Sequence, residues 1–306
     1  MIREADSEFD GRVGFCVGTG RCGTTFLAEL AGREPEVAAS HERLRLGATF
    51  HMFCKWHGIA IDSEGFLLDR EEAIRRDLAE HRFSFECSAL LSHSLEELFT
   101  RFRARFLLLV RRPEDTVASF AVRGWFVKPC ARKDSSLPPS YREGEEPRHF
   151  LGRNIPHGIE FERWTQLTQI GRLSWFWQAR NRAILKQFSR LPTSHCRIER
   201  LEYLDFQRYQ EVADFMGWRS RIDAGTFAEL IQARLNAGPN LPRKLTDWNA
   251  LEVAEFEEQV APVAEALGYE YRGRILAEQL ASSSGVSEAK PHLSLPAVLK
   301  QLFGDQ

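Results

Sequence analysis

The sequence predicts an α/β protein whose central, mainly parallel sheet is flanked by helices, and three observations carry that expectation. Residues 13–17 (VGFCV) and 105–110 (RFLLLV) are apolar runs of strand length, nearly continuous rather than alternating, as strands buried on both faces must be. Each is followed closely by a helical pattern, FLAELAG after a glycine turn and PEDTVASF directly, so the chain reads strand, loop, helix twice. The composition agrees: 306 residues with 43% hydrophobic and 27% charged side chains suit a large core and exclude a disordered or collagen-like chain.

The elements follow in order. Gly11 precedes the first strand and Gly18 ends it, and the helix after it stops at Gly32 and Pro35. Residues 36–40 read as a second strand, followed by a mixed stretch. Residues 69–80 are charged and helix-like, RFSFECS (82–88) reads as a strand, and LEELFTRF (95–102) is an amphipathic helix. After RFLLLV a helix is expected over residues 113–125. Residues 128–165 are rich in Pro, Gly and charge and lack a clear period; they read as a long excursion of the lid or acceptor-binding kind. Leu173 to Phe188 regains helical spacing, HCRIERL (195–201) is a further strand, and the rest is mostly helical to Tyr269. ASSSGVSEAKPHLS (281–294) reads as a linker to the apolar tail LPAVLKQLF (295–303). One domain over residues 1–275 is expected, with 276–306 a linker and a helical tail that docks on its own domain or on a second copy, which leaves a homodimer open.

The 41 basic and 43 acidic side chains leave a formal net charge of −2, which gives no reason to expect a nucleic-acid or anionic-membrane partner. Only seven of the basic residues are lysine, so arginine, the planar bidentate phosphate ligand, dominates. The N-terminus MIREADSEFDGR is acidic and polar, and no apolar run approaches the roughly 18–20 residues of a membrane span, so a cytoplasmic location is expected. Cys16, Cys22, Cys54, Cys87, Cys130 and Cys196 are scattered without a C-x-x-C pair, which points to reduced thiols rather than a zinc site or a disulfide framework.

Residues 18–25 read Gly18-Thr19-Gly20-Arg21-Cys22-Gly23-Thr24-Thr25 and match the nucleotide-triphosphate loop G-x-x-x-x-G with its closing hydroxyl, except that Thr24 stands where that loop has lysine. Backbone N–H groups of a glycine turn and a helix N-terminus together make an anion seat; the Thr24 and Thr25 hydroxyls add donors and Arg21 adds a cation. The plain alternative is a glycine turn that only starts a helix. With Arg21-Cys22-Gly23-Thr24-Thr25 after a strand, the chain resembles the sulfotransferases that use 3′-phosphoadenosine 5′-phosphosulfate (PAPS), whose first motif is a strand followed by Lys/Arg-Ser-Gly-Thr-Thr. The resemblance implies a P-loop-like sulfotransferase fold and a loop, Gly20 to Thr25, that holds the 5′-phosphosulfate. Cys22 departs from the pattern and puts a thiol, a poor donor, in place of one hydroxyl.

About ninety residues later RFLLLV runs into Arg111-Arg112-Pro113, and Ser119 lies eight residues after Arg111. This is similar to the family's second signature, a strand, Arg-Asp-Pro and a serine at that spacing, whose arginine and serine bind the 3′-phosphate. Arg111 at the end of a buried strand and Ser119 on the next helix can meet on one anion at the strand's carboxyl edge, where open α/β sheets bind ligands. Arg123, one turn beyond Ser119, joins the same face and coincides with an arginine that protein-tyrosine sulfotransferases use for that phosphate. Surface ion pairing of Arg112, Glu114, Asp115 and Arg123 is the alternative. Smaller likenesses extend from Val13 to Tyr269. FECS (85–88) resembles Glu-Lys-Thr-Pro with Cys87 for lysine, RIERL (197–201) resembles Tyr-Glu-Asp-Leu with Ile198 for tyrosine, and Lys244 in LPRKLTDW matches a late contact to the 3′-phosphate.

Sulfuryl transfer needs a cation at the leaving phosphate and a base at the acceptor, with positioning and electrostatics supplying most of the acceleration. Arg21 and the loop amides fit the first part, and no metal is expected. The histidine base of the cytosolic small-molecule enzymes would fall near Ser88, so it is missing here. The catalytic glutamate of the protein-tyrosine enzymes, twenty-one residues after the loop arginine, falls on Glu42. Glu42 is therefore the first candidate base and His41 the second; a solvated pair of Glu42 with Arg43 or Arg45 is the alternative. His51, His57 and His93 read as acceptor-side or structural histidines. Trp125, Phe126, Trp164, Trp175 and Trp177 read mostly as core, with Trp125 and Trp164 placed to touch an acceptor. The expectation is a sulfotransferase moving a sulfuryl group from PAPS to a hydroxyl or amine of a small-molecule acceptor, releasing adenosine 3′,5′-bisphosphate. A P-loop small-molecule kinase and a nucleotide-binding module with decayed catalytic residues are the alternatives.

Overall fold

The computed structural model describes residues 8–128, 152–235, 245–269 and 292–304. Strands β1 (Val13–Val17), β2 (Val37–His41), β3 (Phe83–Cys87), β4 (Arg105–Val110) and β5 (Cys196–Arg200) form one five-stranded sheet in the order β2-β3-β1-β4-β5. Every pairing is parallel. The helices are α1 (Thr24–Ala31), α2 (Arg45–His57), α3 (Ser63–Glu80), α4 (Leu95–Phe102), α5 (Pro113–Val122), α6 (Gly158–Gln166), α7 (Gln169–Phe188), α8 (Phe206–Met216), α9 (Ala224–Leu235), α10 (Ala250–Ala266) and α11 (Leu295–Phe303).

The continuous apolar strands are explained by two cores, one on each face of the sheet. Side chains alternate along a strand, so Val13, Phe15 and Val17 enter one core while Cys16 enters the other. In β4, Phe106, Leu108 and Val110 join the first and Leu107 and Leu109 the second. The first core takes residues of α4, α7 and α10, and the second those of α1, α8 and α9. The start of α7 is fixed from α10: Thr168 caps the helix by accepting from Gly171 N at 3.1 Å, while the Glu255 carboxylate accepts from Thr168 N at 2.8 Å and Oγ1 at 2.5 Å.

Several boundaries differ from the sequence reading. Helix α2 occupies the stretch that shows no clear period, because the polar Thr49 and His51 are buried with Ala48, Met52, Phe53 and Cys54 while the apolar Leu46 and Phe50 are exposed. Helix α3 starts at Ser63 rather than residue 69, where Asp62 Oδ1 accepts from Glu64 N at 2.9 Å. Strand β2 ends at His41, one residue later than expected, and α5 ends at Val122. Part of the expected excursion is packed: Ile155 and Trp164 are buried in the first core, and α6 lies within it. Trp164 is thus a core residue, set against Phe126 at 5.3 Å, and its expected contact with an acceptor does not arise. Residues 129–151, with Cys130, lie outside the described residues, as does Lys244. The tail helix α11 buries Leu295 and Val298 in the first core, so it docks on its own domain. Among the described residues no helix is long and apolar enough to cross a membrane.

Candidate active site

Because all five strands run the same way, their carboxyl ends share one edge. From β1 the chain leaves toward β2 and β3, and from β4 it leaves toward β5 on the other side. The crevice between β1 and β4 is therefore the topological switch point at which such sheets bind ligands. Residues 18–23 and 111–112 border it.

Two glycines shape the first loop. A Cβ at Gly18 would stand 2.6 Å from the Leu109 carbonyl oxygen, so only glycine lets the loop turn this closely over β4. Gly23 has φ +102, which other side chains rarely adopt, and a Cβ there would also press on the tip of Leu201 at 2.7 Å. Gly20 (φ +80) and Arg21 (φ +57) are also left-handed, and turns rich in such residues gather N–H groups toward a common point. Helix α1 then begins with no side-chain cap and no acidic residue in its first turn. Its first N–H groups and the positive end of its dipole are left for an anion.

The second segment meets the first. Arg21 Nε donates to Ser119 Oγ at 2.9 Å, although the two residues are 98 apart in sequence. Arg111 Nη1 donates to the Arg21 carbonyl at 3.3 Å and its Nη2 lies 3.6 Å from Asp115 Oδ2. Trp177 Nε1 in turn donates to the Arg111 carbonyl at 3.3 Å, tying this turn to α7. Arg123 is exposed at the end of α5, one turn beyond Ser119. Cys22 points the other way. Its thiol is fully buried and pushed up to about 12 by that burial and by Cys16, so residue 22 offers the crevice only its backbone. The thiol-for-hydroxyl exchange expected to weaken an anion contact therefore has no anion-facing side chain to act through.

His41 and Glu42 enter from the end of β2. His41 Nε2 is 3.2 Å from both Thr24 Oγ1 and Thr25 Oγ1, so the imidazole is bonded to the hydroxyls that open α1. Glu42 has φ +49, and its backbone N donates to the Cys87 carbonyl at 3.1 Å. Its carboxylate lies 3.2 Å from Arg45 Nε, with the two side chains 22% and 55% exposed. The pairing raised as the alternative for Glu42 is thus present, in the half-exposed form that is worth little and exchanges easily.

Beneath this turn is an ion pair that the sequence reading missed. Glu86 of β3 accepts from Arg43 N at 3.0 Å and from Arg70 Nη1 at 2.9 and 2.7 Å, with the side chains of Glu86 and Arg70 only 4% and 1% exposed. Arg43 also reaches Asp77 at 2.8 Å and Ser40 Oγ at 2.8 Å. An acid set between Phe85 and Cys87 in the strand FSFEC was the available signal. A second residue missed was Arg180. It lies three residues beyond Trp177 and four before Ile184 on the buried stripe of α7, where a cation breaks the apolar pattern.

His51 is structural: its nitrogens lie 3.0 Å from Ser94 Oγ and 3.1 Å from Ser63 Oγ, and its ring stacks on Phe66. His41, His51 and His93 are all held below the ordinary imidazole range, burial being the largest cause in each. They are neutral in the fold, whereas the unfolded chain protonates its histidines below about pH 6.5. The unfolded state binds more protons there, so this contribution is complete above that pH and is lost as pH falls through it. Acidifying from about pH 7.5 to about pH 5.5 is expected to lower Tm, and His93→Gln is expected to flatten the dependence. A Tm that rises over that interval would contradict the assignment.

The fold and the crevice define a doubly wound parallel α/β protein with a glycine turn and an uncapped helix start at its switch point. No protein-family model matches the chain, and no curated protein matches it. Among solved structures it is similar to a "Sulfotransferase Domain from the Curacin Biosynthetic Pathway", over 87% of this chain and 100% of that one, at TM-score 0.46 and 16% identity. The likeness is loose and bears on no residue of the crevice. Among the described residues no cluster of His, Cys, Asp and Glu is arranged to hold a metal ion.

Proposed function

We propose that this protein is a sulfotransferase that takes a sulfuryl group from PAPS and passes it to a hydroxyl or amine of a small-molecule acceptor. The Arg21–Ser119 hydrogen bond carries the reading, because it joins two anion-binding segments in one crevice, as a nucleotide with two separated anionic groups requires. The uncapped, acid-free start of α1 fits the 5′ end of such a nucleotide. PAPS supplies the activated sulfuryl group on a phosphate leaving group. The amides of Gly20 to Thr25 would hold the 5′ end, and Arg111, Ser119 and Arg123 the 3′-phosphate, with Lys244 a further contact by its place in the sequence. Arg21 would stabilise the negative charge that develops on the departing phosphate oxygen, while Glu42, or His41 behind it, takes the acceptor's proton.

The kinase alternative needs a cation at residue 24. Thr24 is buried there, with its hydroxyl toward His41. In a thermal-shift titration, adenosine 3′,5′-bisphosphate at about a hundred times its Kd is expected to raise Tm by several degrees, and ATP with Mg²⁺ is expected to leave it unchanged. The reverse pattern would sink the sulfotransferase reading.

A further inference from the structure

Arg180 projects from α7 into the space between α2, the turn after β3 and residues 152–154. It is 2% exposed. Its Nη1 donates to the Ala89 carbonyl at 3.0 Å and lies 3.0 Å from Met52 Sδ; Nη2 donates to the Gly152 carbonyl at 3.3 Å and to Asn154 Oδ1. None of these partners is a carboxylate. Arg180 Nε has no hydrogen-bond partner among the described residues, and neither does Asn154 Nδ2, in a side chain 1% exposed; His93, 9% exposed, bonds to the Asn154 side chain. Arg172 on the same helix shows the contrast: it is 5% exposed and gives Nε, Nη1 and Nη2 to the carbonyls of Phe126, Leu167 and Val127.

The cluster lies directly behind the glycine loop. A Cβ at Gly20 would be 3.6 Å from the Ala89 Cβ, and Ala89 is the residue whose carbonyl Arg180 holds. The charge of Arg180 also acts on His93 and disfavours its protonation. Of the cluster only His93 borders a groove of about 790 Å³, whose lining mixes Lys55 and Lys186 with Glu64, Glu96 and Glu97. The charges are simple. Burial lowers Arg180 to about 9, so it stays a cation at neutral pH, whereas His93 and Cys22 are held neutral. A buried cation without an anion is costly, and unmet donors beside it add to that cost.

We propose that Arg180, Asn154 and His93 form the seat for a compact monoanion, the carboxylate of an acceptor. A dianion would overcompensate the single cation, and a neutral group would leave it unmatched. That the bound molecule is an acceptor rests on the sulfotransferase reading; the anion seat does not.

The test uses the whole protein saturated with adenosine 3′,5′-bisphosphate and a graded series of ω-hydroxycarboxylates, each beside its methyl ester, followed by thermal shift and calorimetric titration. At least one acid is expected to raise Tm while its ester does not. Arg180→Gln is expected to weaken that acid by about tenfold or more and to keep the rise due to the bisphosphate. Asn154→Asp places a carboxylate beside Arg180; it is expected to raise Tm without ligand and to abolish acid binding, which keeps the test decisive if Arg180→Gln does not fold. Acids and esters that behave alike, or an unchanged response in Arg180→Gln, would overturn the seat. Loss of the bisphosphate effect alone, with acid binding intact, would overturn the parent reading and not the seat.

Discussion

Glu42→Gln is expected to lower kcat for PAPS-dependent sulfation by about 10²–10⁴-fold while leaving bisphosphate affinity nearly unchanged. The acceptor for this measurement comes from a screen over phenols, alcohols, sugars and amines. Glu42 is held by its backbone, with φ +49 and its N–H on the Cys87 carbonyl, so the amide variant keeps the turn. Its carboxylate touches Arg45 at 3.2 Å, a contact half open to water that an incoming acceptor can displace at little cost. His41 is placed differently. Its Nε2 is shared by Thr24 and Thr25 at 3.2 Å, so His41→Gln is expected to disturb the opening of α1 and weaken bisphosphate binding as well as turnover. A split of this kind, kcat alone for Glu42 and both parameters for His41, identifies the base. Near-normal kcat in Glu42→Gln together with a collapse in His41→Gln would move the base to His41.

Glu86→Ala is expected to destabilise the protein by about 3–5 kcal/mol, read from urea or guanidinium titration with an unchanged slope. The Glu86 carboxylate is 4% exposed, and it is the carboxylate that Arg70, 1% exposed, meets with two hydrogen bonds. Removing it strands a buried guanidinium and leaves Arg43 N without its acceptor at 3.0 Å. The double variant Glu86→Leu with Arg70→Met removes both charges and is expected to recover most of the stability. It does not restore the acceptor for Arg43 N, so it separates the two roles: a stable double variant with reduced kcat assigns Glu86 to positioning the Glu42 turn. A loss below about 1 kcal/mol in Glu86→Ala would show that the pair is not desolvated as described.

Much of the fold was legible where a local pattern suffices. VGFCV and RFLLLV are read as strands covered on both faces because no polar residue interrupts them, and the helix after each follows from Thr24 and Pro113. The turn between β1 and α1 was legible because Gly18, Gly20 and Gly23 punctuate the chain between an apolar run and a helical pattern. Helix α2 was not, since Leu46 and Phe50 face solvent while Thr49 and His51 are buried, which blurs the apolar stripe. Its left-handed start at Leu44 (φ +51), without a side-chain cap, removes the usual N-terminal signal as well. For Cys22 the sequence placed the residue in the loop but not the direction of its side chain. That direction follows from the crowding at Gly18, where Cys22 Sγ lies beneath the turn.

By itself the sequence determined the class of sheet, the two turns that follow β1 and β4 and the residue types available to them, because each depends on neighbours a few positions apart. The tertiary structure alone decided the strand order, and with it everything that depends on distance. Inserting β1 between β3 and β4 brings Arg21 to Ser119 and lays Arg180 behind the loop at Ala89, while pairing β2 with β3 sets Glu86 beneath Arg43. No local pattern encodes those meetings. They arise from helices covering both faces of one parallel sheet, which directs its carboxyl ends, and the polar residues that follow them, to a single edge.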